Sequence, residues 1–273
     1  MVLPAYVGAL DGKRQRETAL ITGASSGIGL DLAQLMAPNF DLIITARNQA
    51  ALEKIALELQ TAHGNHVHVI PADLTLPEAP QQIFAEIDRR GLPVDILINN
   101  AGFGSYGAFA ESDLRTSLDM VEVNIAALTA LTRLALRGMI QRKHGRIMNV
   151  ASTAGFQPGP CMAVYYATKA YVISFSEALA NELHGTGVTV TCLCPGPTAT
   201  GFASRAGNDK SRLFKQLRPM DAKTVALKGY RGLRAGKTLV IPGLRNWLVT
   251  ESLRISPRRV VTAVSRRLMD AVE

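Results

Sequence analysis

Tyr165 and Lys169 stand four residues apart in AVYYATKAYVISFSEALANEL, residues 163–183, a stretch patterned as a helix. Side chains at that spacing share one helix face. A phenol ordinarily loses its proton near pH ~10, and a neighbouring ammonium favours the phenolate. Such a pair could therefore hand a proton to a carbonyl oxygen, or take one from an alcohol. Taken alone, the spacing equally describes a plain surface pair, and Tyr166 stands three residues from the same lysine. Ser152 strengthens the chemical reading. It follows the β-like run RIMNV (146–150), and ligands of open parallel sheets bind at the carboxyl ends of strands.

A second constellation lies near the start. Thr22-Gly23-Ala24-Ser25-Ser26-Gly27-Ile28-Gly29 follows the run TALIT and leads into LDLAQLMA. Glycines between a strand and a helix allow a tight turn, close backbone approach to a pyrophosphate and tight helix–strand packing, while the helix N-terminus offers unpaired N–H groups to the anion. Ser25 and Ser26 read as part of this phosphate loop rather than as nucleophiles, since no histidine is placed beside them. The second strand ends in DLIITARN, where Ala46 occupies the place of an acidic grip on a ribose 2′-hydroxyl and Arg47 follows. A guanidinium there can pair with a 2′-phosphate, which points to NADP(H) rather than NAD(H); the plain alternative is an exposed loop arginine.

The elements that must carry these residues are legible as alternation. Short aliphatic or β-branched runs occur at 18–22, 41–45, 66–70, 94–98, 146–150, 188–194 and 238–241. Between them lie segments such as QAALEKIALELQTAHG and PEAPQQIFAEIDRRG, apolar at three- and four-residue spacing and closed by glycine,. This pattern predicts an α/β fold: a doubly wound, parallel, seven-stranded sheet with helices on both faces, a Rossmann fold. One domain is expected over 17–242, preceded by an arm (1–16) and followed by a basic helical extension (243–273) packed on the same domain.

The glycine spacing T-G-x-x-x-G-x-G resembles that of the short-chain dehydrogenase/reductase superfamily, and the resemblance runs through residues 18–202. Asp73-Leu74 follows the third strand and Asn99-Asn100-Ala101-Gly102 the fourth; Asn124 lies in the next helix. Ser152 follows the fifth strand, Tyr165-x-x-x-Lys169 comes next, and Pro195-Gly196 with Thr198 and Thr200 follows the sixth. The resemblance selects Tyr165 over Tyr166 as proton donor. It gives Ser152 the substrate oxygen, Lys169 the nicotinamide ribose, and Asn124 a water in a proton relay through Lys169, against which stands an asparagine merely bonding backbone. It also implies cofactor contacts from Gly23, Ser25, Ser26, Gly27, Ile28, Gly29, Arg47, Asp73, Leu74, Asn100, Ala101, Gly102, Tyr165, Lys169, Pro195, Gly196, Thr198 and Thr200, with no metal. The activity implied is hydride transfer between NADPH and a ketone or secondary alcohol, on a hydrophobic substrate such as a 3-oxoacyl chain or a steroid-like ketone. A silent NADP(H)-binding sensor would not need a proton donor and its partner lysine; a sugar-nucleotide epimerase would show another glycine spacing and a larger C-terminal region. The segment from Thr200 to about Arg218 is where this family closes over substrate.

Composition narrows partners. Cys161, Cys192 and Cys194 are too few for a disulfide framework, and Cys192 and Cys194 read as two small residues on one side of a strand. His63, His66 and His68 lack a partnering carboxylate pattern for a metal. The N-terminal MVLPAYVGAL lacks a basic leader, and no run of roughly 20 uninterrupted apolar residues appears,; a cytoplasmic protein is expected. The net charge of +8 is uneven: 16 Lys/Arg stand against 5 Asp/Glu from Arg205 onward, and 14 against 17 before it. From Pro257, Val260, Val261, Val264 and Leu268 recur at helical spacing among Arg258, Arg259, Arg266 and Arg267. Such a helix either packs on its own fold or a partner subunit, or meets a membrane surface. Nucleic acid is not expected, because apart from Trp247 the basic residues lack interleaved aromatics. Apolar or small residues around most of the helix of 162–183 (Ala163, Ala167, Ala170, Ile173, Ala178, Ala180) suggest a second burial surface and a homodimer or homotetramer,.

Overall fold

The computed structural model describes residues 16–207 and 219–269. The expected arm, save Arg16, part of the segment that would close over substrate and the last four residues of the extension lie outside the described residues. The main sheet contains β1 (Thr18–Thr22), β2 (Asp41–Thr45), β3 (Val67–Val69), β4 (Ile96–Asn99), β5 (Gly145–Val150), β6 (Val188–Leu193) and, last in the chain, β9 (Leu239–Val240). Their order is β3-β2-β1-β4-β5-β6-β9, and every pairing is parallel. All seven runs expected as strands lie in this sheet. A further parallel pair, β7 (Thr198–Ala199) and β8 (Met220–Asp221), was not anticipated; two residues are too few to carry a period.

The helices are α1 (Gly27–Met36), α2 (Gln49–His63), α3 (Ala79–Arg89), α4 (Leu114–Val121), α5 (Leu128–Arg142), α6 (Ala163–Glu182), α7 (Phe202–Ala206), α8 (Ala222–Arg234), α9 (Leu244–Ile255) and α10 (Arg258–Met269). Strand alternation sorts the core onto two faces. Ala19 and Ile21 of β1 meet Leu32 and Met36 of α1, Leu52 of α2 and Val225 of α8. Leu20 meets the other layer, with Ile83 of α3, Leu131 and Met139 of α5 and Leu179 of α6. Local signals set the boundaries: Asn48 caps α2 by accepting from the Ala51 N–H at 3.0 Å, and Gly64 ends it at φ 61°,.

The run Leu114–Arg142 is long and apolar enough to cross a membrane by length and composition alone. It is a core element here, with Met120, Val123, Leu128, Leu131 and Met139 buried within the fold. The apolar stripe expected along α10 divides. Val261 is buried and Leu268 half-buried, while Val260 and Val264 face solvent. The inner face is completed instead by Ser265 and Met269, so that residues four apart, 261, 265 and 269, form the packed edge,.

Candidate active site

The carboxyl ends of β1, β2, β4, β5 and β6 open into one cleft of about 600 Å³. On one side is the glycine turn. Gly23 takes φ +66°, a left-handed conformation that glycine adopts without cost, and its N–H donates to Thr45 O at 2.8 Å,. A Cβ on Gly29 would sit 2.4 Å from both Asn100 Nδ2 and Gly23 O, so only glycine lets α1 approach this closely. Asn100 ties the turn to β4, its Nδ2 donating to Thr22 O at 2.9 Å. Ser26, the residue before α1, uses no side chain to cap the helix, and the first turn carries no carboxylate. The first N–H groups of a helix have no intrahelical partner, and Ser25, Ser26, Gly27 and Ile28 at this helix start line the cleft. A phosphate fits it by charge and space. Arg47 and Asp73 line the same cleft, Arg47 exposed beyond β2 and Asp73 accepting from the Thr75 N–H and hydroxyl at 3.1 and 3.0 Å.

Deeper in the cleft are Ser152, Tyr165 and Lys169. Ser152 Oγ accepts from the Ala154 N–H at 3.1 Å and donates to Pro195 O at 3.3 Å, which fixes it between the β5 and β6 ends. Lys169 is buried, donates to Val150 O at 2.8 Å, and holds its Nζ 5.8 Å from the Tyr165 ring centroid. The expectation that this lysine lowers the phenol's pKa is not met. Burial pushes Tyr165 up to about 12, with Ser152 offsetting part of the rise, and burial pulls Lys169 down to about 8. Burial disfavours the charged form of each group, the phenolate and the ammonium alike. Tyr166 is also raised by burial and turns its hydroxyl toward Met269 Sδ, 3.9 Å away.

Asn124 does not lie in a regular α-helix. It sits in a π-helical turn, Glu122–Ala127, between α4 and α5, an extra-residue bulge of the kind frequent at functional sites. Its Nδ2 donates to Phe103 O and Thr168 Oγ1, both at 3.0 Å, and its Oδ1 accepts from the Phe103 N–H at 3.2 Å. Like Gly29, it stands behind the cleft wall rather than on it; the remaining sequence-named residues line the cleft. Gly102 passes so close that a Cβ there would lie 2.9 Å from Asn124 Oδ1 and 3.4 Å from Lys169 Nζ.

Other lining residues were not singled out in the sequence, although Phe202 and Arg205 fall in the segment from Thr200 to about Arg218 expected to close over substrate. Arg205 reaches across from α7, its guanidinium donating to Ser26 Oγ at 3.4 Å. Phe103, Met162 and Phe202 make an apolar end beside Tyr165, and Ser265, Leu268 and Met269 bring α10 into the wall. The only signal for α10 was its amphipathic pattern, which does not say what its inner face covers.

Residues 17–211 match the family model described as short chain dehydrogenase. The chain is 39% identical over 203 residues to a putative ketoacyl reductase of Streptomyces coelicolor, covering 73% of this chain and 77% of that protein. Among solved structures, a short-chain dehydrogenase from Sphingobium yanoikuyae in complex with NADPH superposes with a TM-score of 0.79 at 32% identity, covering 88% of this chain and 94% of that one. The bulky-bulky ketone specific alcohol dehydrogenase from Comamonas testosteroni follows at 0.76 and 30%, covering 89% and 93%. With the glycine cradle and the Ser152, Tyr165 and Lys169 cluster on one parallel sheet edge, the chain belongs to the short-chain dehydrogenase family of oxidoreductases.

Proposed function

We propose that this protein reduces ketones to secondary alcohols, reversibly, with NADPH as the preferred nicotinamide cofactor and with a hydrophobic ketone as substrate. The observation that carries the reading is the meeting of Ser152, Tyr165 and Lys169 in the cleft that also holds the glycine cradle. The cradle, Asp73, Asn100 and the Pro195–Thr200 segment would hold the cofactor, which supplies hydride when bound. The protein's own work is orientation and proton handling. Ser152, held by the Ala154 N–H, can turn its one O–H from Pro195 O to the substrate oxygen. Tyr165, neutral in its buried setting, gives that oxygen a proton,. By the family resemblance, Asn124 would anchor a water through which Lys169 passes a replacement proton.

Support for NADPH comes from Ala46 and Arg47 at the end of β2 and from the NADPH bound by the Sphingobium relative. Support for a hydrophobic ketone comes from the apolar end of the cleft and from the Comamonas enzyme's bulky ketones. The test is oxidation of NADPH and NADH with a 3-oxoacyl thioester, a steroid ketone and a bulky aryl ketone. NADPH should be favoured, and Arg47→Ala should cut that preference by roughly tenfold, the worth of a charge-assisted hydrogen bond of about 1.5 kcal/mol. Equal use of both cofactors by the wild type, or an unchanged preference in the variant, refutes the cofactor assignment.

A further inference from the structure

The two last helices are turned the wrong way for a surface washed only by water. A helix on a globular surface keeps its apolar residues inside and its polar ones outside. On α9 the residues facing the fold include Asn246 and Thr250. Thr250 is 1% exposed; Asn246 donates to Pro242 O at 2.7 Å and stands so near the cleft that a Cβ on Gly196 would meet its Nδ2 at 2.6 Å. Leu244, Leu248 and Ile255, spaced by four and seven residues, share the opposite face and are 72%, 54% and 88% exposed,. Trp247 lies on their flank, also exposed. α10 adds Val260 and Val264, exposed and one turn apart, while its other edge, with Ser265 and Met269, lines the cleft. Of the fifteen large apolar side chains exposed among the described residues, seven lie in these two helices, which is more than the ordinary scatter of single apolar residues over a surface,.

The charge of this face indicates what covers it. Residues 243–269 hold six arginines and one carboxylate, Glu251, which is paired with Arg254 at 3.1 Å. A two-fold contact sets a patch against its own copy, so a second chain seated here would bring like charges together. An anionic bilayer suits both features. It offers hydrocarbon at the headgroup boundary to Leu244, Leu248 and Ile255, phosphate to the arginines, and the interfacial level that a tryptophan ring favours. Arginine stems can lie along the apolar surface while their guanidinium groups stay with the phosphates.

We infer that the outward face of α9 and α10 is an attachment surface for anionic membranes, on which the protein lies without spanning the bilayer. The edge of α10 that lines the cleft points away from that surface, so α10 stands between the lipid and the cleft. The inference goes beyond the ketone-reductase reading and does not depend on it.

Trp247 is the one tryptophan of the chain and sits on this face, so its emission reports contact directly. In low salt, with phosphatidylcholine vesicles containing phosphatidylglycerol, the full-length protein should co-sediment and its tryptophan emission should shift to the blue. Pure phosphatidylcholine vesicles should bind it roughly tenfold less. Arg258→Glu with Arg259→Glu, and separately Leu248→Ser with Ile255→Ser, should each weaken binding to the anionic vesicles by roughly tenfold or more. All four side chains are exposed, so both variants should melt close to wild type,. Protein that stays in the supernatant with the anionic vesicles overturns the inference, as does binding without a blue shift, equal binding to uncharged vesicles, or variants that bind like wild type. A mass by light scattering that falls in the Leu248→Ser, Ile255→Ser variant would give the face to a second copy instead. Ketone reduction by vesicle-free protein tests the reductase reading separately, and neither outcome decides the other.

Discussion

Tyr165 and Lys169 are two buried ionisable groups displaced in opposite directions, each toward its neutral form. At neutral pH the site thus holds a protonated phenol, ready to donate. Tyr165→Phe removes only that proton and should lower turnover by roughly 10²- to 10⁴-fold, with NADPH affinity by fluorescence titration nearly unchanged; Lys169→Ala should damage both. Substantial activity in the Phe variant would return the role to Tyr166. The lysine also makes stability depend on pH. Its folded-state pKa of about 8 lies below the ordinary 10.5, so between those values the unfolded chain binds more protons and stability rises with pH. Tyr165 acts oppositely, since its phenol is held from 10.0 up to about 12 and the unfolded chain loses that proton first. Melting temperature of the cofactor-free protein should therefore climb above pH ~8 and turn over near pH ~10, and Lys169→Met should flatten the climb. At this scale the proton donor was readable from spacing and resemblance together. Its electrostatics were not, because desolvation depends on how many other chains of atoms surround a side chain, which no local spacing records.

Elements were more legible than residues. β1, β2 and β5 have long aliphatic runs whose alternate members serve the two cores, so their existence follows from composition alone. The π-helical turn at Glu122–Ala127 was hidden, because one extra residue scarcely alters the apolar spacing of a helix on either side of it. The β1–α1 connection makes the sharpest test at this scale. Gly29→Ala would drive a methyl carbon to 2.4 Å from Gly23 O, a backbone atom that cannot move without opening the cradle. It should cost about 1–3 kcal/mol of stability, as overpacking does, and weaken NADPH binding at least tenfold. Melting curves with and without NADPH measure both effects; a variant that melts and binds like wild type would show the turn to be slack.

Over the whole molecule, the outward side of α6 is built of small residues, with Ala163, Ala167, Ala170 and Ala178 exposed, although Ile173 faces the core. Exposed Leu114, Leu118, Val121 and Ile140 lie along α4, its end and α5, and Thr129 of α5 bonds Tyr171 of α6 at 2.9 Å. Apolar side chains beside small ones offer a close-packing surface, and we propose that a second copy covers it. Light scattering at micromolar concentration should give at least twice the 29.3 kDa chain mass; a monomer would exclude this. The placement of α10 was the least legible feature at this scale. Its valines and arginines fix an amphipathic helix, but which valines turn inward is decided by the wall they meet, formed by residues more than a hundred positions earlier.

That same wall has a consequence in time. The chain is made from its N-terminus, and domains tend to organise as it emerges. β1, β2 and β4, with the Gly23–Gly29 turn and Asn100, are available while α10 has yet to be synthesised. That part of the nucleotide side can therefore form early, whereas the wall of the substrate side is complete only after Met269 has docked against Tyr106 and Tyr166. A nascent or partly folded chain would offer a nicotinamide nucleotide its first contacts before the last wall of the cleft had closed.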